Sequence, residues 1–336
     1  MAPTIVGVDE VTSLSRRIIV PYITDQAYPS NALFFRLNAA NRKRYEGGTH
    51  FEVPLLHQMQ TNGGAYDGEG EVIADIAAQD NVKNMAFEAK YYQVPITLYE
   101  RTLDRMNTSL AIANEMRVRA TDAKMKMADL VGTDVSQSLG SSGAGAVLKQ
   151  VTGLAAIIDD GTNAANYGEL VRASNTYLNA QVDSATTAMT LLALRTMVGN
   201  CTFGAHSTTL IRSRVEQYNR YWALVQANQR FNVGDAGSDT ALGAAGFRNL
   251  LFDNIPWVVD SKVEDGTGAG GATNSQIEFL CETVMEIATI GSGEFSMTDW
   301  RYKIDQPSAM TAFLKWKGEL ICSAPQLQGK FTAIES

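Results

Sequence analysis

Residues Thr108–Leu139, TSLAIANEMRVRATDAKMKMADLVGTDVSQSL, form the stretch that decides the fold. Apolar residues recur in it at the spacing of one helix face, and most charged residues lie off that face. Thr108 or Ser109 can cap the start, and Gly140 follows where a left-handed C-terminal residue belongs. The pattern predicts one helix about 48 Å long, or two shorter helices hinged near Thr121–Asp122. The apolar face comprises Leu110, Ala113, Met116, Ala120, Ala123, Met127, Leu130, Val131, Val135 and Leu139.

The predicted helix is far longer than the ~11 to 12 residues of an average globular helix. A helix of that length exceeds what one small core needs. We therefore expect it to act as a spine that supports more than one substructure.

The composition is that of an ordered globular protein, with 45% hydrophobic and 19% charged residues in a chain of 336. A net charge of −8 argues against a protein whose main activity is to bind nucleic acid through its phosphates. The charge is uneven, because residues 1–45 hold six bases and three acids (+3) and residues 46–98 hold two bases and eight acids (−6). Either these charges are scattered on solvated surfaces, or the two segments contact oppositely charged neighbours across a subunit boundary.

The cysteines and the N-terminus point to a reducing compartment. Cys201, Cys281 and Cys322 are widely spaced and form no CxxC pair, so each is expected to be a small buried residue. The N-terminus lacks the basic start and apolar core of a signal peptide, and no apolar run approaches the ~18 residues that span a bilayer. We expect a protein made in the cytoplasm, with no membrane partner.

The chain begins with what is predicted to be an arm. Prolines break residues 1–30 into short apolar pieces, which indicates extended backbone, and a short helix is expected at Asn31–Arg44. Residues 49–56 and 85–92 then alternate apolar and polar side chains, which predicts a two-stranded ribbon. Such a ribbon is marginal in water, and nothing adjacent in sequence covers its apolar face. We expect that face to pack on another subunit.

The rest of the chain mixes helices and strands in the manner of an α+β protein. Amphipathic helices are predicted over 185–198 and 213–229, and the last fifty residues alternate like antiparallel strands. Strands are predicted at 247–252 and 255–260 around an Asp253–Asn254 turn. Glycine-rich loops are predicted at 232–245 and 264–275.

Side chains that could support catalysis do not converge in the sequence. His50 and His57 fall on opposite sides of a strand, and His206 has no partner nucleophile. Asp159–Asp160 with Asp253 could form a carboxylate pair or a calcium site, but adjacent aspartates before a glycine favour a turn. The aromatic and arginine residues of 212–231 favour a core-facing helix over a nucleic-acid surface. We therefore predict no enzyme activity, no cofactor and no metal.

Four segments in a particular order resemble the major capsid protein of tailed bacteriophages, the Hong Kong 97 (HK-97-like) coat fold. Ala86–Thr97 (AFEAKYYQVPIT) resembles the return strand of the extended loop in that family. Gly153–Ile158 (GLAAII) is similar to the segment that follows its spine helix. Asp253–Asp260 (DNIPWVVD) resembles its turn and Ile-Pro strand, and Gly329–Ile334 (GKFTAI) its terminal strand.

The resemblance implies a division of the chain into five parts. These are an N-terminal arm (1–45), an extended loop (46–98), a peripheral domain with the spine helix (99–185), an axial domain (186–289) and C-terminal strands that return to the peripheral domain (290–336). It also implies three sets of contacts between subunits: the extended loop through Phe51, Val53, Tyr66, Phe87 and Tyr91, the arm through Arg16, Arg17, Ile19 and Tyr22, and the axial loops through Arg230, Asn232, Asp235 and Asp265.

In that family, subunits form hexamers and pentamers of an icosahedral shell around double-stranded DNA. The resemblance therefore implies self-assembly in the host cytoplasm, a place in the virion and only non-specific contact with packaged DNA. Further implied partners are portal and decoration proteins and a scaffold, which is either a separate protein or a removed segment. An encapsulin-like bacterial compartment is the alternative with the same fold, although the extended start of this chain favours the virus. An enzyme of unrecognised class is the third alternative.

Overall fold

The computed structural model describes residues 32–61, 79–104, 109–142, 147–185, 188–226, 249–264, 276–291, 295–303 and 306–334. The helices are Ala32–Ala40 (α1), Glu100–Asp104 (α2), Ser109–Gln137 (α3), Leu154–Ile157 (α4), Leu191–Asn200 (α5) and Val215–Gln226 (α6). The strands are Arg42–Tyr45 (β1), His50–Leu56 (β2), Val82–Glu88 (β3), Lys90–Tyr99 (β4), Asn166–Tyr167 (β5), Leu170–Val171 (β6), Gln181–Asp183 (β7), Leu210–Ser213 (β8), Asn249–Phe252 (β9), Ile255–Val259 (β10), Ile277–Leu280 (β11), Met285–Ile290 (β12), Ser296–Met297 (β13), Arg301–Lys303 (β14), Gln306–Cys322 (β15) and Gly329–Phe331 (β16). Short 3₁₀ turns lie at Thr176–Leu178, Glu282–Val284 and Pro325–Leu327. None of the helices in these ranges is long and apolar enough to cross a membrane.

The predicted spine helix is confirmed as one unbroken helix, α3, and the hinge near Thr121–Asp122 is not formed. Its buried side chains include Ala123, Met127, Val131 and Val135, which repeat every four residues and so share one face. Gly140 has φ +55°, the left-handed conformation predicted for the residue that ends the helix.

The first sheet is built around the 17-residue strand β15. On one side β15 pairs with β12, β13 and β14, and on the other it pairs antiparallel with β4 along ten positions from Tyr99–Ala309 to Lys90–Gly318. β1 joins the far edge parallel to β12. Alternate residues of β4 face α3, as the burial of Ile96 and Leu98 shows.

The second sheet has the strand order β7-β16-β11-β8-β10-β9. The predicted Asp253–Asn254 turn is confirmed, because both residues have positive φ (52° and 66°) and join β9 to β10 in a two-residue hairpin. Helix α6 packs on this sheet through Tyr221, whose ring stacks on the buried Trp257 at 4.5 Å.

The C-terminal strand β16 lies in the second sheet, between β7 and β11. Of the last strands of the chain, β15 lies in the first sheet and β16 in the second. β7 also lies in the second sheet although it precedes residue 186, and β12 pairs in the first sheet. Alternation of apolar residues marks these segments as strands but carries no information on which of two sheets receives them.

The helix predicted at Asn31–Arg44 is shorter than expected. Its apolar residues Leu33, Phe34 and Leu37 are buried as predicted, but α1 ends at Ala40. Residues 42–45 instead form β1, because the edge of β12 offers backbone partners such as the Ile287 N–H, which donates to the Asn41 carbonyl at 3.0 Å.

Gly153 allows the segment after the spine helix to pack directly on the backbone of that helix. A Cβ at Gly153 would overlap the Asp134 carbonyl oxygen and lie 2.9 Å from the Ser138 carbonyl oxygen.

We predict that Gly153→Ala lowers the free energy of unfolding by about 1–3 kcal/mol in urea denaturation. Gly199→Ala is the matched control, since nothing lies within 4 Å of that position in α5 and alanine favours the helix. Equal stability of the two variants would contradict the close packing.

Candidate functional site

The structure brings no catalytic group together among the residues it describes. Asp159 is a turn residue, because its carboxylate accepts hydrogen bonds from the backbone N–H groups of Gly161, Asn163 and Ala164 at 2.8–3.1 Å. The ring of His57 stacks on Tyr177 with 5.1 Å between centroids, and it faces no nucleophile in the described ranges. No group of three or more His, Cys, Asp or Glu in those ranges could hold a metal ion. The described residues do present exposed surfaces and a framework that positions them.

The ribbon predicted from residues 49–56 and 85–92 is present as β2 and β3, with Phe51 opposite Phe87 and Val53 opposite Met85. The second predicted strand is divided, however, because residues 90–92 belong to β4 and pair with β15. We expected the apolar face of the ribbon to pack on another subunit, but that face is covered within this chain. Phe51 and Phe87 are buried, and Val53 packs on the same core. The β5–β6 hairpin, eighty residues further along the chain, covers Phe87, and Tyr167 meets Phe87 edge-on at 5.2 Å. Tyr45 of β1 contacts Phe51, with 5.3 Å between ring centroids.

Gly168 makes this cover possible. It has φ +55°, and a Cβ there would lie 2.7 Å from the Met85 Cβ. The Gly168 carbonyl also accepts a hydrogen bond from the Ala86 N–H at 3.1 Å, which fastens β3 to the hairpin. Sequence reasoning missed this site, although the Tyr-Gly pair at 167–168 is a turn signal beside an aromatic residue.

The opposite face of the ribbon is open, and we call it the outer ribbon face. Leu56 and Val82 are paired across the two strands and are 67% and 57% exposed. Near the base of the ribbon the same face carries two exposed carboxylates, Glu52 and Glu88. Asn84 lies between these groups and donates a hydrogen bond to Glu52 at 2.9 Å.

The first sheet likewise has one open face, which we call the outer sheet face. It lies opposite the spine helix and carries Tyr91, Gln93 and Pro95 of β4 beside Phe313, Lys315 and Lys317 of β15. Tyr91 is 66% exposed, and the Lys317 ammonium lies 5.6 Å from its ring centroid. Of the four predicted extended-loop contacts in the described ranges, Tyr91 alone is exposed, so its contact with another subunit stays a prediction.

The remaining predicted contacts lie outside the described residues. They are Tyr66 in the extended loop, Arg16, Arg17, Ile19 and Tyr22 in the arm, and Arg230, Asn232, Asp235 and Asp265 in the axial loops.

A buried ionic cluster joins the second sheet to the spine helix. Arg212 on β8 is fully buried and donates to Glu278 on β11 at 2.6 and 2.8 Å and to Asp260 at 3.1 Å. The same guanidinium donates to Ser136 of α3 at 2.9 Å. Burial alone would lower the pKa of Arg212, but the two carboxylates outweigh burial and raise it. Nothing in the sequence pattern paired these residues, because each lies on a different element.

Asp134, three residues before the end of α3, connects the helix to the first sheet by a hydrogen bond. The Tyr92 hydroxyl on β4 donates to the Asp134 carboxylate at 2.6 Å and accepts a hydrogen bond from the Val151 N–H at 2.9 Å. Burial raises the pKa of both Tyr92 and Asp134. The spine is thus hydrogen-bonded to both sheets within three residues of its own sequence.

Glu319 on β15 is a buried carboxyl group at the same junction. One oxygen accepts hydrogen bonds from the Thr152 and Leu320 N–H groups at 2.6 and 3.2 Å, and the other has no partner among the described residues. The nearby ammonium of Lys90 is bound to Glu88 at 2.8 Å. Burial therefore raises the pKa of Glu319 to about 8.

We predict that loss of Arg212 destabilises the subunit strongly. Arg212→Met leaves Asp260 and Glu278 buried without their cation, which should cost about 3–5 kcal/mol of unfolding free energy. Arg195→Met is the matched control, since it removes an ion pair to Asp253 at the surface, where pairs contribute about 0–1 kcal/mol. Urea denaturation measures both, and similar losses in the two variants would contradict the role of the cluster.

We also predict a pH dependence from Glu319. Because its pKa in the folded state, about 8, lies above that of an unfolded chain, its stabilising contribution is complete below about pH 4 and is lost as the pH rises to about 8. Glu319→Gln should remove this dependence, so the melting temperature of the variant relative to wild type should rise between pH 5 and pH 9. The control is Glu52→Gln, which changes an exposed carboxylate. An unchanged pH profile in Glu319→Gln would contradict the assignment.

Comparison with known proteins identifies the fold of this chain. No family model matches the chain, and no curated protein sequence matches it. The capsid of cyanophage A-1(L) superposes with TM-score 0.66 at 14% identity, covering 97% of this chain and 98% of the other. The capsid of a native GTA particle gives 0.64 at 13% identity, covering all of both chains. The SrpI encapsulin of Synechococcus elongatus PCC 7942 gives 0.60 at 9% identity, covering 99% and 97%.

These likenesses extend over essentially the whole of each chain, so they concern the complete fold. The chain has the α+β coat fold of the Hong Kong 97 type, as the resemblance of its four segments implied. At identities of 9–14%, these likenesses establish a shared fold and do not establish a shared function.

Proposed function

We propose that this chain is a shell-forming structural protein, the major capsid protein of a tailed bacteriophage, and not an enzyme. The observation that supports the proposal most strongly is the likeness of nearly the whole chain, end to end, to capsid subunits of similar length. A coat subunit needs a rigid body and exposed contact surfaces. The described residues provide both, in the spine junction and in the two open faces.

In this proposal subunits form hexamers and pentamers that close into an icosahedral shell around double-stranded DNA. The arm, the extended loop and the axial loops are the contacts between subunits, with the domain boundaries given above. The net charge of −8 suits a container for a polyanion, because a basic lining would bind the genome and hinder its movement. Assembly occurs in the host cytoplasm with separate scaffolding and portal proteins, decoration proteins can follow, and the product is the virion.

An encapsulin-like compartment is the second candidate, because the SrpI encapsulin is among the structures that this chain resembles. A terminase gene beside the coding sequence would support the phage assignment, and a gene for a cargo enzyme would support the compartment.

Expression of the full chain, alone and with candidate scaffolding proteins, tests the proposal. Electron microscopy and mass photometry should find closed particles or discrete rings of five or six subunits. A monodisperse 36.4 kDa monomer at high concentration under all these conditions would contradict it.

We predict that the distal part of the extended loop is needed for shell closure and dispensable for folding. Thr61 and Gln79 hydrogen-bond to each other at 2.7 and 3.0 Å, so a short Gly-Ser linker in place of residues 62–78 should leave the ribbon paired. The melting temperature of this variant should match that of wild type while its particles are absent or altered. Normal particles would contradict the role of the loop as a contact between subunits.

A further inference from the structure

Lys90 lies at the point where the ribbon joins the first sheet. It is the first residue of β4, and Glu88 is the last residue of β3. The side chain of Lys90 is 6% exposed, and its ammonium donates to the Glu88 carboxylate at 2.8 Å. The side chain of Glu88, by contrast, is 65% exposed. A buried cation is therefore paired with an anion that lies largely in water.

A second carboxyl group lies beside Lys90. In the pairing of β4 with β15, Lys90 is opposite Gly318, and Glu319 is the next residue of β15. Glu319 is 1% exposed, and its Oε2 has no hydrogen-bond partner among the described residues. The positive charge of Lys90 already acts on this group, since it opposes the rise that burial causes in the pKa of Glu319. The unpartnered oxygen is thus an acceptor near a donor that is bound elsewhere.

The elements around Glu319 carry six further ionisable groups: Tyr92 on β4, Asp134 on α3, Tyr167 on β5, Arg172 after β6, Glu286 on β12 and Cys322 on β15 itself. Burial raises the pKa of both tyrosines and of the thiol, so these three groups stay neutral up to pH 9. Asp134 accepts a hydrogen bond from Tyr92, Glu286 pairs with Lys43, and Arg172 donates to backbone carbonyls. Lys90 is therefore the charged group here that has two carboxyl groups within its reach.

We propose that Lys90 exchanges between two carboxylates according to the charge of Glu319. While Glu319 is protonated, the ammonium binds Glu88. Once Glu319 ionises, the ammonium turns to its unpartnered Oε2, and Glu88 is released to water. The exchange is favourable because a buried carboxylate without a cation is costly, whereas an exposed one is solvated. The flexible four-carbon stem of lysine allows this movement without a change in the backbone.

The exchange links the charge state of the spine junction to the base of the ribbon. Glu88 is paired with His50 at the end of the ribbon that joins the first sheet, so its release loosens that end. The Phe87–Tyr167 contact and the hydrogen bond from Ala86 remain and keep the inner face seated. The inference rests on the proposed shell function for its use, because the ribbon carries the extended loop. The exchange itself is a property of the single subunit.

Titration of the glutamate carboxyl groups by NMR, in the isotope-labelled and unassembled full chain, tests the exchange. In wild type Glu319 should ionise near pH 8. Glu88→Gln takes the outer partner from Lys90, so Glu319 should then ionise at a pH lower by about one unit or more. Glu52→Gln is the matched control, since it removes the other exposed carboxylate of the outer ribbon face and should leave the titration of Glu319 unchanged.

Hydrogen exchange of the β3 amides gives a second measurement, expressed as protection relative to an unfolded chain at the same pH. Protection in wild type should fall about fivefold between pH 6 and pH 9, the effect of one partly exposed ion pair. Glu319→Gln should abolish this fall, because an amide stays neutral throughout.

Three results would overturn the exchange: a Glu319 that keeps one charge state between pH 6 and pH 9, an unchanged Glu319 titration in Glu88→Gln, or the same change of β3 protection in wild type and Glu319→Gln. None of them bears on shell formation, which is measured by the particles that wild type forms. Absence of those particles would count against the shell function and leave the exchange intact.

Discussion

The rest of the structure depends on how the end of the spine helix is held. Asp134 binds Tyr92 of the first sheet, and Ser136 binds Arg212 of the second. Two residues further along a helix correspond to a rotation of about 200°, so these groups point to nearly opposite sides. The helix is therefore fixed between the two sheets, and the polar groups involved are buried where unmet hydrogen bonds are costly. A shell-forming subunit must be rigid. Small errors in the angle at which it contacts its neighbours would accumulate as the shell closes.

The sequence predicted local elements well and their long-range partners poorly. The apolar stripe of residues 108–139 indicated the spine helix, although it left a hinge open, and Asp253–Asn254 indicated a turn between two strands. Both signals depend only on residues that are close together in sequence. Arg212 gave no such signal, since its partners Asp260 and Glu278 lie 48 and 66 residues away. The placement of β16 in the second sheet depends on the same kind of remote pairing.

In the ribbon, the sequence identified both strands but did not identify the segment that covers their apolar face. Alternation correctly identified β2 and β3 and their apolar face, but alternation cannot say which molecule covers that face. The cover depends on Gly168, where the absence of a side chain lets the backbone reach Met85. The exposed face of the ribbon is therefore the one that carries Glu52 and Glu88, and not the apolar one.

The central claim is that the spine helix makes both sheets one cooperative body. Native-state hydrogen exchange of the purified subunit, read at the amides of residues 123–137 and of strands β8 and β15, tests it most directly. If the junction holds, the helix and both strands share one opening free energy, equal to that of global unfolding. Slow exchange of the helix with only one of the two sheets, while the other opens at a lower free energy, would contradict the account.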